Sequence, residues 1–256
     1  MLMALGVAGC ATTPTPTLDA FAERSDANSF EVFERGVTSP NALVLPVVHD
    51  QQTSGPSCGA HAMASVINYW HRDANLTGEA IFRATPPTAP QGYSMTELIA
   101  LAAQHNLLAS AVRLPDQGIV QELERGRPVL VPVRLPSIYV QPLTLPGENL
   151  PVLGLATGVV THRVGRFSEW TGLTMVDHYL LVVGHDEDRF IVVEPVRGYR
   201  TISFQKFGRY REPFQNAAIV FSAPPRGAAS RAAESGGAAR PNAAATAEAP
   251  VEGLAH

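Results

Sequence analysis

The stretch "HDQQTSGPSCGAHAMASVINYW", His49 to Trp70, decides the fold, because a polar turn gives way there to an apolar helix with a cysteine at the joint. Gly55-Pro56-Ser57 is a turn signal. From Cys58 to about His71 the apolar residues Ala62, Val66, Ile67 and Trp70 recur at helical spacing. Tyr69, Trp70 and Val66 are expected in the core. A thiol at a helix N-terminus meets unpaired backbone N–H groups and the positive end of the helix dipole, both of which favour the thiolate. Gly59 is expected to leave room for a carbonyl to approach the sulfur, and Gln52, six residues before Cys58, could donate to an oxyanion beside the Cys58 amide.

Working outward, "ALVLPVV" before this stretch reads as a short strand. After it come three helices and two strands. "TGEAIFRA" is a helix with Thr77 as a candidate N-cap, and "SMTELIALAAQHN" a helix opening on the Ser94/Glu97 capping-box pattern. "ASAVRL" is a strand, "QGIVQELERG" a helix ending at a glycine, and "PVLVPVRL" a buried strand. Pro136 to about Met175 is a long stretch broken by Pro and Gly. Its Tyr139, Leu145, Val152, Leu155 and Trp170 are expected to pack onto something. "HYLLVVGHD", "RFIVVEP" and "RTISFQKF" then read as strands, with a hairpin turn over the solvated Asp186-Glu187-Asp188, and "AAIVFSA" as a closing strand. Helices first and antiparallel strands second make an α+β domain.

The second ingredient of thiol chemistry is a base held by a third group. His178 opens one strand and Glu194, sixteen positions on, ends the next. Across a hairpin at Asp186 to Asp188 the two come out near each other, so the carboxylate could fix the imidazole tautomer. The bland alternative for Cys58 is a small buried core residue; His61, three residues after it, shares its helical face, so a Cys-His metal pair is also conceivable. Two further suitable ligands are lacking, so neither metal nor cofactor is expected. His49, His162 and His185 read as surface or loop histidines.

These residues in this order resemble the bacteriocin-processing cysteine peptidases, the double-glycine-leader (family 39-like) group of the papain-like fold. The resemblance rests on Gln-x5-Cys-Gly, a helix ending in Tyr-Trp, Gly-x-Pro before a buried strand, His-Tyr-Leu-Leu-Val-Val-Gly, and an acid followed by Pro. It covers about Val44 to Phe221. It implies a papain-like fold, a helical lobe packed on an antiparallel sheet, and a peptide or protein substrate. It further implies Cys58 as nucleophile, His178 as base, Glu194 as orienting acid and Gln52 in the oxyanion hole. Glu194 stands where the family usually has Asp, Ser57 where transporter-linked members often have Asp, and no nucleotide-binding domain is attached. Double-glycine cleavage is therefore not implied, whereas peptide-bond hydrolysis is. Acyl transfer or amide exchange on the same residues, and a binding module that has lost turnover, are the rival functions.

The remainder concerns place and boundaries. With 256 residues, a formal net charge of -4 and no basic stripe interleaved with aromatics, nucleic acid is not an expected partner. There are two cysteines, Cys10 and Cys58. Cys10 ends "ALGVAGC" and precedes "ATTPTPT", which resembles the lipobox of a bacterial lipoprotein, with Cys10 lipidated. Only nine residues, none of them Lys or Arg, precede Cys10, so the rest of a signal peptide is expected upstream. The expected organisation is a truncated lipobox leader over 1–10, a tether over 11–40, the peptidase domain over 41–223, and a disordered Ala/Gly/Pro-rich tail over 224–256. The expected location is the bacterial cell envelope, lipid-anchored, on the periplasmic face.

Overall fold

The computed structural model describes residues 42–53, 55–140 and 163–222. The lipobox, the tether, the tail, Leu145, Val152, Leu155 and His162 lie outside the described residues. Strand β1 is Leu43–Val44, and helices α1 (Cys58–Trp70), α2 (Gly78–Ala84) and α3 (Met95–Gln104) follow. Next come β2 (Leu108–Arg113), α4 (Asp116–Glu124), β3 (Val129–Pro136) and the single turn α5 (Ser137–Val140). A helix over 163–171, α6, leads into β4 (Met175–His185), β5 (Arg189–Glu194) and β6 (Gly198–Ser203). Helix α7 (Phe204–Arg211), a 3-10 turn at Glu212–Phe214 and β7 (Ala217–Ser222) complete it.

All strand pairs are antiparallel, in the order β2-β7-β3-β4-β5-β6, with β1 added to β4. The helical lobe precedes the sheet in the chain and packs on it, an α+β layout. β4 is central in every sense: Leu180 to Val183 are fully buried, and α1 lies against it. Burial on both faces explains the unbroken apolar run "YLLVV".

Helix α1 is more deeply enclosed than an amphipathic stripe implies. Every residue from Cys58 to Ile67 is buried, whereas Tyr69 and Trp70 are half-buried at the edge of the core. Its small residues make this possible. A side chain on Gly59 would meet Leu98 and Tyr93 at 3.1–3.2 Å, so this glycine serves the approach of α3 rather than that of a substrate carbonyl. The helix ends are capped as the sequence suggests: Thr77 Oγ1 accepts from the Ala80 N–H at 3.2 Å, and Ser94 and Glu97 form the reciprocal box.

Two expectations are corrected. The "ALVLPVV" strand shrinks to two residues, because Pro46 has no N–H to continue the ladder. "RTISFQKF" is half strand and half helix: the Ser203 hydroxyl accepts from the Lys206 N–H and starts α7, which sends Phe207 into the core. β7, the closing strand of the chain, inserts between β2 and β3. Arg211, fully buried, anchors that insertion by donating to Asp116, to the Leu114 carbonyl and to the Asn216 carbonyl.

Candidate active site

Cys58 is the first residue of α1 and Ser57 its N-cap. The first-turn amides of a helix have no carbonyl partner within it. One of them, the Gly59 N–H, is directed at the Cys58 sulfur, as is the Tyr179 N–H from β4. The thiol also meets the His178 side chain in a hydrogen bond. Burial alone would push the thiol up. The His178 charge, the bond to its ring and the two amides outweigh burial and hold Cys58 below the ordinary thiol range.

His178 is placed by strand register. Leu181 faces Val193 and Val182 faces Val192 across the β4–β5 ladder. Continued, that register sets Glu194 opposite Leu180, on the face His178 shares, one diagonal step away. The His178 Nε2–Glu194 Oε1 distance is 2.7 Å. With Nε2 engaged, Nδ1 is the ring nitrogen left for the thiol. Burial disfavours the imidazolium. The thiolate, the bonds on either side and the Glu194 charge overcome it and raise His178 to about 10. The two therefore titrate as a unit, each charge favouring the other.

Glu194 is fully buried, which would ordinarily protonate it. The His178 bond and charge, then the N–H groups of Val196 and Arg197, outweigh burial and hold its carboxyl below the usual range. Those amides reach Oε1 at 3.0 Å and Oε2 at 2.6 Å. The extra methylene of Glu over Asp is thus absorbed by the side chain curling over its own β5–β6 turn, and it still reaches the ring.

Gln52 is buried near this group. Its backbone N–H donates to the Pro195 carbonyl at 2.8 Å, next to Glu194, and its Nε2 donates to the Gly55 carbonyl at 2.5 Å. A carboxamide NH2 has two protons. One is spent on Gly55, which orients the amide and leaves the second uncommitted. Cys58, His178, Glu194 and Gln52 thus come from four separate segments to one place.

The other histidines are more engaged than expected. His49 is half-buried, and its Nε2 bonds the Pro195 carbonyl at 2.9 Å. His61 does not face the sulfur as a metal ligand; its Nδ1 pairs with Asp50 Oδ2 at 2.6 Å. The same oxygen accepts the Gly78 N–H at 2.7 Å, and the Asp50 N–H donates to Ser65. No sequence signal marks Asp50, since its partners lie 11 and 28 residues away. Among the described residues no group of three or more His, Cys, Asp or Glu side chains could hold a metal.

Residues 41–144 match the family model of the papain-like cysteine protease AvrRpt2. The chain is similar to papain-like cysteine proteases. This match covers the segment that carries Cys58 and Gln52 and stops before His178 and Glu194. Among solved structures, the peptidase domain of Streptococcus ComA is 15% identical, over 68% of this chain and 96% of that one, at a TM-score of 0.45. A C39-like peptidase from Bacillus anthracis is 12% identical over 72% of this chain and 98% of its own, at 0.49. Xylellain, a cysteine protease from Xylella fastidiosa, is 12% identical over 72% and 87%, at 0.45. No curated protein matches the chain. Identities this low assign no substrate.

Proposed function

We propose that the protein is a cysteine peptidase that cleaves a peptide bond through an acyl-enzyme on Cys58. The single observation that carries this reading is the bonded series Cys58–His178–Glu194 at the mouth of α1. The thiolate adds to the scissile carbonyl. Charge builds on the oxygen, where the Cys58 amide and the uncommitted Gln52 N–H receive it. His178, protonated in the resting pair, gives its proton to the leaving amine, and the C–N bond breaks to leave a thioester. Water, deprotonated by His178, then hydrolyses the thioester and frees Cys58. Glu194 holds the ring in register and stabilises its positive form throughout.

An amine in place of water at the second step would make the same site an acyltransferase, and added amine nucleophiles separate the two by product mass. The lipobox-like "ALGVAGC" supports a second part of the reading, a lipid on Cys10 that tethers the protein to the bacterial envelope on its periplasmic face. The test of the function is mass spectrometry of peptide pools incubated with wild type and with Cys58→Ala. New termini that appear with wild type alone support hydrolysis, and identical pools overturn it.

A further inference from the structure

Helix α6, over 163–171, is built inside out. Gly165 and Ser168 are buried and Glu169 is half-buried. Gly165 lies so close to the Tyr139 ring that a side chain there would overlap it. Ser168 bonds Thr174 at 2.8 Å. Glu169 accepts from Tyr210 at 2.5 Å and from Tyr139 at 3.4 Å, with the Lys206 ammonium at 3.9 Å. Small and polar residues therefore make the inward face. The outward face carries Val164, Phe167 and Trp170, at 41%, 55% and 83% exposure, followed by Leu173 at 59%. Positions 164, 167 and 170–171 share one side of a helix. The expectation that Trp170 packs into the domain is thereby corrected, while Tyr139 does pack, at 2% exposure.

A contiguous exposed apolar face marks a partner. Its charge identifies the kind. Arg163 and Arg166 flank the aromatics and are exposed, and the one acid of the helix is turned inward. A second copy docking symmetrically would set these arginines against their own counterparts, which disfavours a dimer. Phe and Trp framed by arginines instead suit the boundary of an anionic lipid surface, with apolar rings in the acyl region and guanidinium groups at the phosphates.

We propose that the outward face of α6 is a membrane-docking surface for anionic lipid, independent of the peptidase reading. In a chain whose Cys10 is lipidated it would provide the second of the two attachments that stable anchoring requires. The experiment uses the full chain carrying Cys10→Ser, so that lipidation contributes nothing. Co-sedimentation is measured with vesicles of phosphatidylcholine alone and with phosphatidylglycerol added. Binding is expected with phosphatidylglycerol only, weakening with salt. Phe167→Ser/Trp170→Ser should abolish it, and Arg163→Gln and Arg166→Gln should each weaken it by about fivefold. Circular dichroism confirms that the variants fold. The proposal is overturned by no partition into anionic vesicles, by partition that survives both sets of changes, or by a dimer dissociated by Trp170→Ser. A raised KM for a soluble peptide in the Phe167/Trp170 variant, without vesicle binding, would overturn it too and assign the face to substrate.

Discussion

Among the described residues two imidazole–carboxylate pairs are bonded at almost the same distance, one fully buried and one partly buried, and only one of them faces a thiol. His178–Glu194 and His61–Asp50 are bonded at 2.7 and 2.6 Å. Each carboxylate also accepts backbone N–H groups. Both pairs flank the first turn of α1. The difference lies at the far side of each ring. Beyond His178 is the Cys58 sulfur, whereas the His61 ring is covered by the Gly78 backbone, where a side chain would come within 2.4 Å of it. A histidine–acid pair is thus not a catalytic signal in itself. In the proposed reaction one pair moves protons because a reactive atom stands next to it; the other staples the loop before α1 to the start of α2.

Each substitution at these pairs should separate the two roles. The largest effect is expected from His178→Ala, which removes the proposed base, with circular dichroism checking that the variant folds. kcat/KM on any peptide the wild type cleaves should fall on the order of 10³-fold or more. Survival of turnover would reverse the assignment of the pairs. Glu194→Gln keeps the shape of the side chain but removes its charge, and a fall of about a hundredfold in kcat/KM is expected. The pH profile should also change. In wild type, kcat/KM rises as the thiolate–imidazolium pair forms and falls as pH passes about 10, where His178 loses its proton. Without the carboxylate that alkaline limb should move down.

The His61 side of the comparison should respond in stability instead. Asp50→Ala leaves the His61 ring and the Gly78 N–H without their partner, at an expected cost of about 3 kcal/mol in urea unfolding. Gly78→Ala forces the His61 ring and the α2 backbone apart and should cost about 2 kcal/mol. In both variants, below the unfolding transition, Cys58 should keep its reactivity. A loss of reactivity without a loss of stability would show that the two pairs share one role.

How much of this was legible in the sequence depends on how local the physics is. The caps at Thr77 and Ser94 and the β4–β5 ribbon depend on neighbours within a few residues, and they read off directly. Cys58 and Glu194 were nameable because each lies at an element's end, and His178 because it heads the apolar run of β4, although the strand itself begins three residues earlier; the register does the rest. Asp50 was not, since its meaning comes from His61 and Gly78 across a fold boundary. The start of α7 was hidden because Phe204 and Phe207 suit a strand as well as a helix, and only the Ser203 cap decides between them. β7 was legible as the last strand but not its place in the sheet, because strand order is a long-range property, supported here by the buried Arg211. Gln52 was named as an oxyanion donor, but nothing in its neighbourhood announced the Gly55 contact that spends one of its protons.

The most direct test of the central claim is the pH dependence of Cys58 alkylation by iodoacetamide in the native protein, in wild type and in His178→Ala. With the thiolate held by His178, wild type should react on a plateau reaching well below the ordinary thiol range, and the variant should lose it and react only as its thiol ionises at or above that range. Superimposable profiles, or a wild-type thiol that ionises only in the ordinary range, would contradict the account.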